Sequence, residues 1–377
     1  MKNILVIKAS HTPTRILTNR RAALVTALGI GTSLIFSAAI LSAQSSDDTQ
    51  PFLPSPVRTV STVPANGDLN PYGVAFVPGN VTIGMLHPGD ILVSNFNNKQ
   101  NLQGTGTTIV RVPTSGKPAL FFQGKSGLGL STALHVLKSG FVLVGNFPSS
   151  DGTCPNARSG SILVISPWGK QLAAITSWAI DGPWDSALID RGNSATLFVA
   201  NGLSGTVTRL ELSWTSAKIV QSAVQIGSGY AHRCDPVTFV DAPTGLVYNP
   251  KTDELYVAST AGNKVYTLHD ATTTTKDEGT GMVLYSDHKH LHGPLGMTMA
   301  PNGHLLVSNN DAINSDPAQP SEIVEFTLEG RFVKQLSVDP AQGASFGLNV
   351  RTVNHLATFA AVDDATNALL IWKLPQQ

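Results

Sequence analysis

Short apolar segments separated by polar turns recur along most of the chain in one arrangement. Each copy has a first apolar segment, a turn, a second segment that ends in Asn or a small residue, and then a third segment. The segments are rich in Val, Ile, Leu, Thr and aromatic residues, and Gly, Pro, Asn and Asp separate them. This is the pattern of β-strands joined by turns, and no long stretch beyond residue 56 has a helical period. The segments of the successive copies are residues 71–76, 90–95 and 108–112; 131–137, 141–146 and 161–165; 183–188, 197–201 and 206–212; 243–248, 255–259 and 264–268; 294–299, 305–309 and 322–327; and 346–350, 357–362 and 368–374.

Successive copies start about 50 to 60 residues apart, which is the length of one four-stranded propeller blade with generous loops. The sequence therefore predicts an all-β fold, a six-bladed β-propeller of four-stranded antiparallel blades. The sixth copy ends after its third segment, and residues 57–63, which precede the first copy, can supply the missing outer strand. We expect this N-terminal strand to complete the last blade beside residues 368–374, because a ring closed in this way has no exposed sheet edge.

The N-terminal region has the pattern of an export signal. Residues 1–21 carry five Lys or Arg residues and no acidic residue, and residues 22–41 are mostly apolar. The small residues Ser42 and Ala43 follow, and a basic start, an apolar middle and a small-residue exit are typical of a signal peptide. We therefore predict an export signal over residues 1–43, a polar linker over 44–56, a single propeller domain over 57–377, and a periplasmic or secreted protein. In the alternative, the apolar run stays uncleaved and anchors the protein to a membrane, since it is long enough to span a bilayer.

Composition narrows the classes of partner. Charged residues make up 13% of the chain and the formal net charge is zero, so the sequence lacks the basic surface that nucleic-acid binding requires. The 34 Gly and 23 Pro residues suit a turn-rich β protein, which we expect to be a monomer. The two cysteines, Cys154 and Cys234, are a candidate disulfide in an oxidising compartment, or else two separate thiols.

The repeated arrangement resembles NHL repeats over nearly all of the chain beyond the export signal. A kelch propeller would have Gly-Gly doublets, which are absent here, and Trp184-Asp185 begins a first segment instead of ending a blade as in WD40 repeats. The sequences HLHGPLG at 290–296 and PSEIVEF at 320–326 resemble an uncharacterised group of exported bacterial NHL-like proteins. This resemblance implies a six-bladed fold and an extracytoplasmic location, and it implies no known reaction.

Propeller geometry places two sets of loops on the same face. The first strand of each blade is innermost and the chain direction alternates, so the loop leading into a blade and the loop between its second and third strands share a face. We call the first set the leading loops and this face the loop face. A recurring Asn at the end of a strand is alternatively explained by turn chemistry. The predicted ligand-face residues are Asn146, Asn201, His232, Arg233, Asn309, Asp311 and Asp363.

Three histidines alternate in the leading loop of the fifth copy. In an extended segment His288, His290 and His292 would point the same way, because residues two apart share a face. Imidazoles suit zinc, copper, iron or nickel, so this run is a candidate site for a divalent metal, the only cofactor that the sequence suggests. In the alternative, the histidines of a polar loop bond the backbone or water.

Two functions are consistent with the sequence. The chain has no G-x-S-x-G, H-E-x-x-H, C-x-x-C, P-loop or G-x-G-x-x-G motif, so several common chemistries have no support. The first function is a binding module that takes a protein, peptide, glycan or small molecule on the loop face. The alternative is a metal-dependent lyase or lactonase with its site at the mouth of the central channel, as in some six-bladed relatives. The amidating lyases among those relatives have His directly after the second strand of several blades, where this chain has Phe96, Phe147, Gly202 and Asn310.

Overall fold

The computed structural model describes residues 56–215 and 218–375. Six four-stranded antiparallel sheets form the blades of a β-propeller, which confirms the predicted fold class. The predicted export signal and all but the last residue of the predicted linker lie outside the described residues. Within the described part of the chain, no helix is long and apolar enough to cross a membrane.

The strands follow the chain in blade order, from the innermost strand of each blade to its outermost. The first strand, β1 (Arg58–Ser61), precedes blade 1, which contains β2 (Leu69–Phe76), β3 (Ile91–Asn97), β4 (Thr108–Val112) and β5 (Ala119–Gln123). Blade 2 contains β6 (Leu130–Val136), β7 (Val142–Asn146), β8 (Ser161–Ile165) and β9 (Gln171–Ile175), with a 3-10 turn at Cys154–Asn156. Blade 3 contains β10 (Pro183–Asp190), β11 (Ser194–Asn201), β12 (Thr206–Ser213) and β13 (Val220–Gly227), and a hairpin of β14 (Arg233–Asp235) and β15 (Phe239–Asp241) follows it. Blade 4 contains β16 (Pro243–Asn249), β17 (Glu254–Ser259), β18 (Lys264–Leu268) and β19 (Met282–Tyr285), and blade 5 contains β20 (Pro294–Met299), β21 (Leu305–Asn309), β22 (Glu322–Phe326) and β23 (Phe332–Ser337). Blade 6 contains β24 (Ser345–Val353), β25 (Leu356–Asp363), β26 (Ala368–Pro375) and, as its outer strand, β1.

Apolar side chains form a layer between each pair of neighbouring blades. Between blades 1 and 2, for example, Leu92 and Ile109 belong to one buried cluster with Leu134 and Val144. Both faces of a blade are covered by its neighbours, so the strands have apolar residues on both faces instead of the strict alternation of a half-exposed sheet. This explains why the sequence shows nearly continuous apolar segments.

Glycines in the innermost strands let those strands approach one another closely. A Cβ atom added at Gly347 of β24 would lie 1.7 Å from the carbonyl oxygen of Tyr72 in β2, and one added at Gly245 of β16 would lie 2.3 Å from that of Leu295 in β20. No side chain fits at these distances, so the glycines in the first segments of blades 1, 4, 5 and 6 are required by packing around the axis.

The N-terminal strand closes the ring. Strand β1 pairs antiparallel with β26, and the register places Arg58 opposite Ile371 and Ser61 opposite Ala368. Blade 6 thus takes three strands from the C-terminal end of the described chain and one from its N-terminal end. The predicted completion of the last blade by residues 57–63 is confirmed.

Candidate functional site

The Asn that ends a second strand ties the leading loop to its own blade. In blade 5, Asn309 Oδ1 accepts the backbone N–H of His292 at 3.0 Å, and its Nδ2 donates to the carbonyl of His290 at 2.7 Å. In blade 3, Asn201 Oδ1 accepts the N–H of Asp181 at 2.9 Å. Asn146 accepts the N–H of Gly129 in blade 2 in the same way. These three predicted ligand-face amides are buried and bonded within their blades, so their recurrence has a structural cause.

Asp363 occupies the corresponding position in blade 6. Its carboxylate accepts the N–H of Thr366 at 3.4 Å, and the residue is buried. Burial raises its pKa, and the nearby carboxylate of Asp339 acts in the same direction. Asp363 therefore closes the turn between β25 and β26, whereas the asparagines of blades 2, 3 and 5 bond the leading loops.

Aromatic side chains fill the mouth of the central channel on the loop face. The rings of Tyr72 in blade 1 and Trp184 in blade 3 have centroids 5.5 Å apart, and those of Tyr72 and Phe346 in blade 6 are 4.6 Å apart. Blades 1 and 3 are not adjacent, so Tyr72 and Trp184 meet across the axis. We call this layer the aromatic plug. Its members are Tyr72, Phe96, Phe147, Trp184, Phe239 and Phe346.

The plug determines where a ligand can reach the axis. The sequence predicted that polar loop residues would converge on this mouth. The structure places large apolar rings there instead, because the first residues of the innermost strands and the residues after the second strands are aromatic. The geometry therefore does not support a metal or substrate site at the loop-face mouth of the channel.

The β14–β15 hairpin lies over the plug and is fixed by a disulfide. Cys234 in this hairpin is bonded to Cys154 in the loop between β7 and β8, with the two Cα atoms 5.4 Å apart. Phe239 of the hairpin is buried in the plug. Arg233 binds the buried carboxylate of Asp241 with its Nη2 atom at 2.8 Å. The predicted ligand-face residue His232 is exposed, and its Nδ1 atom donates to the carbonyl of Tyr230 at 3.0 Å.

The three alternating histidines do not share a face. Residues 288–290 form a turn, so the extended backbone that the prediction required is absent. His288 is exposed. His290 Nδ1 lies 2.5 Å from Asp287 Oδ2, and its ring stacks on Phe332 with centroids 3.7 Å apart. Only His292 turns into the interior, and the predicted metal set of His288, His290 and His292 is corrected accordingly.

His292 meets two carboxylates in blade 5. It precedes β20, Asp311 lies in the loop between β21 and β22, and Glu322 is the first residue of β22. One ligand atom from each of the three residues lies within 4.8 Å of those of the other two. The cluster combines His292 and Asp311, which were predicted as site residues, with Glu322, which was not.

Burial raises the pKa values of the two carboxyl groups in this cluster. The pKa of Glu322 is raised to about 8 by its removal from water, and the Asp311 carboxylate raises it further. Burial also raises the pKa of Asp311, although the N–H groups of Gly343 and Ser321 oppose the shift. Two carboxyl groups in a shared buried space cannot both ionise easily without a compensating positive charge.

A polar cavity of about 350 Å³ lies on the axis. All six innermost strands line it, mostly with residues from the middle and later parts of each strand, whereas Tyr72, Trp184 and Phe346 of the aromatic plug lie nearer the starts of their strands. His135, Thr298 and Asn349 in its wall are partly exposed, so the cavity is open to solvent at the end away from the loop face. Its polar lining residues are Thr132, His135, Asp185, Ser186, Tyr248, Thr298 and Asn349.

Two titratable groups in the cavity wall are strongly shifted. Burial lowers the pKa of His135 to about 4, although the carbonyl of Ser186, 3.1 Å from its Nε2 atom, opposes the shift. Burial raises the pKa of Asp185 to about 7, against the N–H groups of Ser186 at 2.8 Å and Leu246 at 3.3 Å. A neutral imidazole and a carboxyl group that titrates near neutrality thus share one concave space, which is a common feature of functional sites.

The sequence contained a signal for Glu322 that repeat comparison could have found. Glu322 is the first residue of the third strand of blade 5, and the first residues of the third strands of blades 1 to 3 are Thr108, Ser161 and Thr206. Blades 4 and 6 have Lys264 and Ala368 at this position, so Glu322 is the one acid in the series. For Asp185 the weaker signal was an acid inside an apolar first segment.

No protein-family model and no curated protein matches the chain, whereas solved structures match its fold. A catalytically inactive virginiamycin B lyase from Staphylococcus aureus, solved with quinupristin, has a TM-score of 0.50 at 12% identity and covers 85% of this chain and 89% of its own. A luciferin-regenerating enzyme has a TM-score of 0.53 at 12% identity, over 84% of this chain and 94% of its own. The chain is therefore similar in fold to six-bladed β-propeller proteins that include enzymes.

Proposed function

We propose that the protein binds a small polar molecule in the axial cavity, through the end away from the loop face. The observation that carries this proposal is that His135 and Asp185, both with shifted pKa values, line one cavity of about 350 Å³. This volume is within the usual range for small-molecule sites, and a concavity with convergent polar groups and perturbed titratable residues is the default hypothesis for a binding site.

Catalysis at the same cavity is the second candidate function. A lyase or lactonase needs a group that moves a proton near neutral pH, and Asp185, with its pKa raised to about 7, has the required property. The fold neighbours named as enzymes support this candidate only as an analogy of fold. If the protein is catalytic, Asp185→Asn should abolish turnover of a bound compound and still allow that compound to bind.

The extracytoplasmic location stays part of the proposal. The basic and apolar N-terminal pattern, the resemblance to exported NHL-like proteins and the bonded Cys154–Cys234 pair all support it, because structural disulfides persist in oxidising compartments. Detection of the mature protein in a periplasmic or culture fraction, cleaved near Ala43, would test it.

Thermal unfolding in the presence of defined probes tests the binding site. The probes are monosaccharides, sugar acids, sugar lactones and short peptides, each added to the purified propeller at millimolar concentration. We expect at least one class to raise the unfolding temperature, since a ligand that binds only the folded state stabilises it. The variant Thr298→Phe should remove that shift by filling the cavity.

The same substitution at an exposed site is the control. Thr273→Phe places an identical ring on the surface and should keep the shift. Absence of a shift with every probe class, or a shift that survives Thr298→Phe, would overturn the assignment of the cavity.

A further inference from the structure

Among the described residues, blade 5 contains four buried polar atoms without a hydrogen-bond partner; one is Oε1 of Gln335 in β23, and the other three lie in one cluster. These three are Nδ1 of His292, Oδ1 of Asp311 and Oε1 of Glu322. His292 is 2% exposed and Glu322 is 1% exposed. Buried polar atoms in native proteins nearly always have a partner, so three such atoms together indicate a missing group between them. We propose that His292, Asp311 and Glu322 bind a divalent transition-metal ion, with zinc preferred.

The imidazole of His292 is oriented to donate a lone pair. Its Nε2 atom lies 3.0 Å from the carbonyl oxygen of Lys289, and a carbonyl oxygen can only accept a hydrogen bond. Nε2 therefore carries the proton, and Nδ1 carries the free lone pair. Histidine ligands of metals are usually fixed in this way, by a carbonyl or carboxylate bonded to the other ring nitrogen.

Asp311 is held with one carboxylate oxygen free. Its Oδ2 atom accepts the backbone N–H groups of Ser321 at 2.9 Å and Gly343 at 2.8 Å, which leaves Oδ1 for the cluster. The residue has a left-handed backbone with φ of 56°, a conformation that Asp tolerates better than most residues. Two hydrogen bonds to Oδ2 and a left-handed backbone thus fix the position of Oδ1, which has no hydrogen-bond partner among the described residues.

Glu322 lies at a position where blades 1 and 3 have Thr, a residue that needs no ion. In blade 1 the corresponding Thr108 accepts the amide of Asn95 at 3.2 Å and completes the local hydrogen bonding with its hydroxyl group. In blade 5 the Oε2 atom of Glu322 accepts the amide of Asn309 at 3.3 Å in the same role, and Oε1 is left over. The longer side chain of Glu322 therefore adds a ligand atom, Oε1, that has no partner among the described residues.

The donor set determines the class of ion. One imidazole nitrogen and two carboxylate oxygens suit zinc, and they suit manganese more weakly, because affinity for such sites rises towards the end of the first transition series. Calcium takes six to eight oxygen ligands, and magnesium prefers oxygen and water. Three protein ligands leave a position for water. The ion would join the leading loop of blade 5 to the loop between β21 and β22, and through Gly343 to the leading loop of blade 6.

Zinc content and thermal unfolding of matched variants test the site. The full chain is purified without a histidine tag, stripped with a chelator, and then dialysed against zinc, manganese or calcium. We expect about one tightly bound zinc ion per chain, a higher unfolding temperature with zinc, a smaller increase with manganese and none with calcium. Glu322→Thr should lower zinc affinity by at least about 100-fold, since altering even an outer-shell partner costs about 10- to 100-fold.

Two further variants and a second measurement on Glu322→Thr make the test decisive. Glu322→Thr introduces the residue that blades 1 and 3 have, so it should fold, and without metal it should unfold at a higher temperature than the stripped wild type. Asp311→Asn, at a partly exposed position, removes a charged ligand if the first variant does not fold. His288→Ala changes an exposed histidine of the same loop and should keep zinc binding. The proposal is overturned if wild type holds no zinc after dialysis, if Glu322→Thr or Asp311→Asn binds zinc as tightly as wild type, or if His288→Ala loses it.

Discussion

Buried carboxyl groups are the residues most sensitive to pH in this protein. Asp364, in the turn between β25 and β26, has its pKa raised to about 7 by burial and by the neighbouring carboxylate of Asp363. A carboxyl group whose folded-state pKa exceeds its unfolded value near 4 favours the folded state less and less as the pH rises between those two values. The wild-type protein should therefore lose stability between about pH 4 and about pH 7 through this residue.

The variant Asp364→Asn isolates that effect. Because the amide stays neutral, the stability of the variant relative to wild type should be greater at about pH 8 than at about pH 5, by about 1 to 3 kcal/mol. Urea unfolding at the two pH values measures the difference. Asp270→Asn, at an exposed turn position, is the control and should give the same difference at both pH values. An equal effect of Asp364→Asn at both pH values would contradict the prediction.

Single residues were predicted only in part. The recurring Asn at the end of the second strands was recognised as a ligand-face candidate or, alternatively, a turn residue, whereas the structure shows it bonded to the leading loop of its blade. Glu322 and His292 belong together only because two loops of one blade fold onto each other. A pattern read along the chain could place His292 on the correct face but could not supply its partners.

At the level of elements, the β14–β15 hairpin is an insertion that the six-fold pattern does not contain. It lies between blades 3 and 4, contributes Phe239 to the aromatic plug, and is bonded to blade 2 through Cys154 and Cys234. A two-stranded hairpin is marginally stable alone, so the disulfide and the buried ring hold it in place. The sequence offered the cysteine pair as a candidate but gave no sign of the hairpin that carries one of them.

Removing the disulfide should loosen the β14–β15 hairpin and destabilise the propeller. The two cysteines are 80 residues apart, and a cross-link that closes a loop of this length stabilises by about 2 to 5 kcal/mol. Replacing Cys154 and Cys234 together by Ser should lower the urea midpoint, and reductant should lower that of wild type by a similar amount. Reductant should not affect the double variant, which serves as the control. Two free thiols in denatured, unreduced wild type would refute the prediction.

At the scale of the whole molecule, the period of the repeats predicts the propeller architecture, but it does not predict which end of the channel is open. Each blade buries the same kind of segment, so repetition alone predicts the ring and its closure. Which end of the channel is open depends on aromatic rings that come from different blades and meet at the axis, as Tyr72 and Trp184 do. That meeting has no counterpart in the spacing along the chain, which is why a site was predicted at the loop-face mouth, where the structure has the aromatic plug.

Ring closure through β1 is the feature of the whole molecule that a truncation can test. Strand β1 covers the edge of β26, and Val60 packs against the cluster between blades 6 and 1. A chain that starts at Thr62 lacks this strand, so it should lose about 2 to 5 kcal/mol of stability through lost burial and hydrogen bonds. It should also associate at high concentration, because an uncovered strand edge pairs with other chains. A chain that starts at Pro56 keeps β1 and is the control. Urea unfolding and light scattering measure both effects, and a monomeric Thr62 chain with the midpoint of the control would show that closure by β1 does not stabilise the ring.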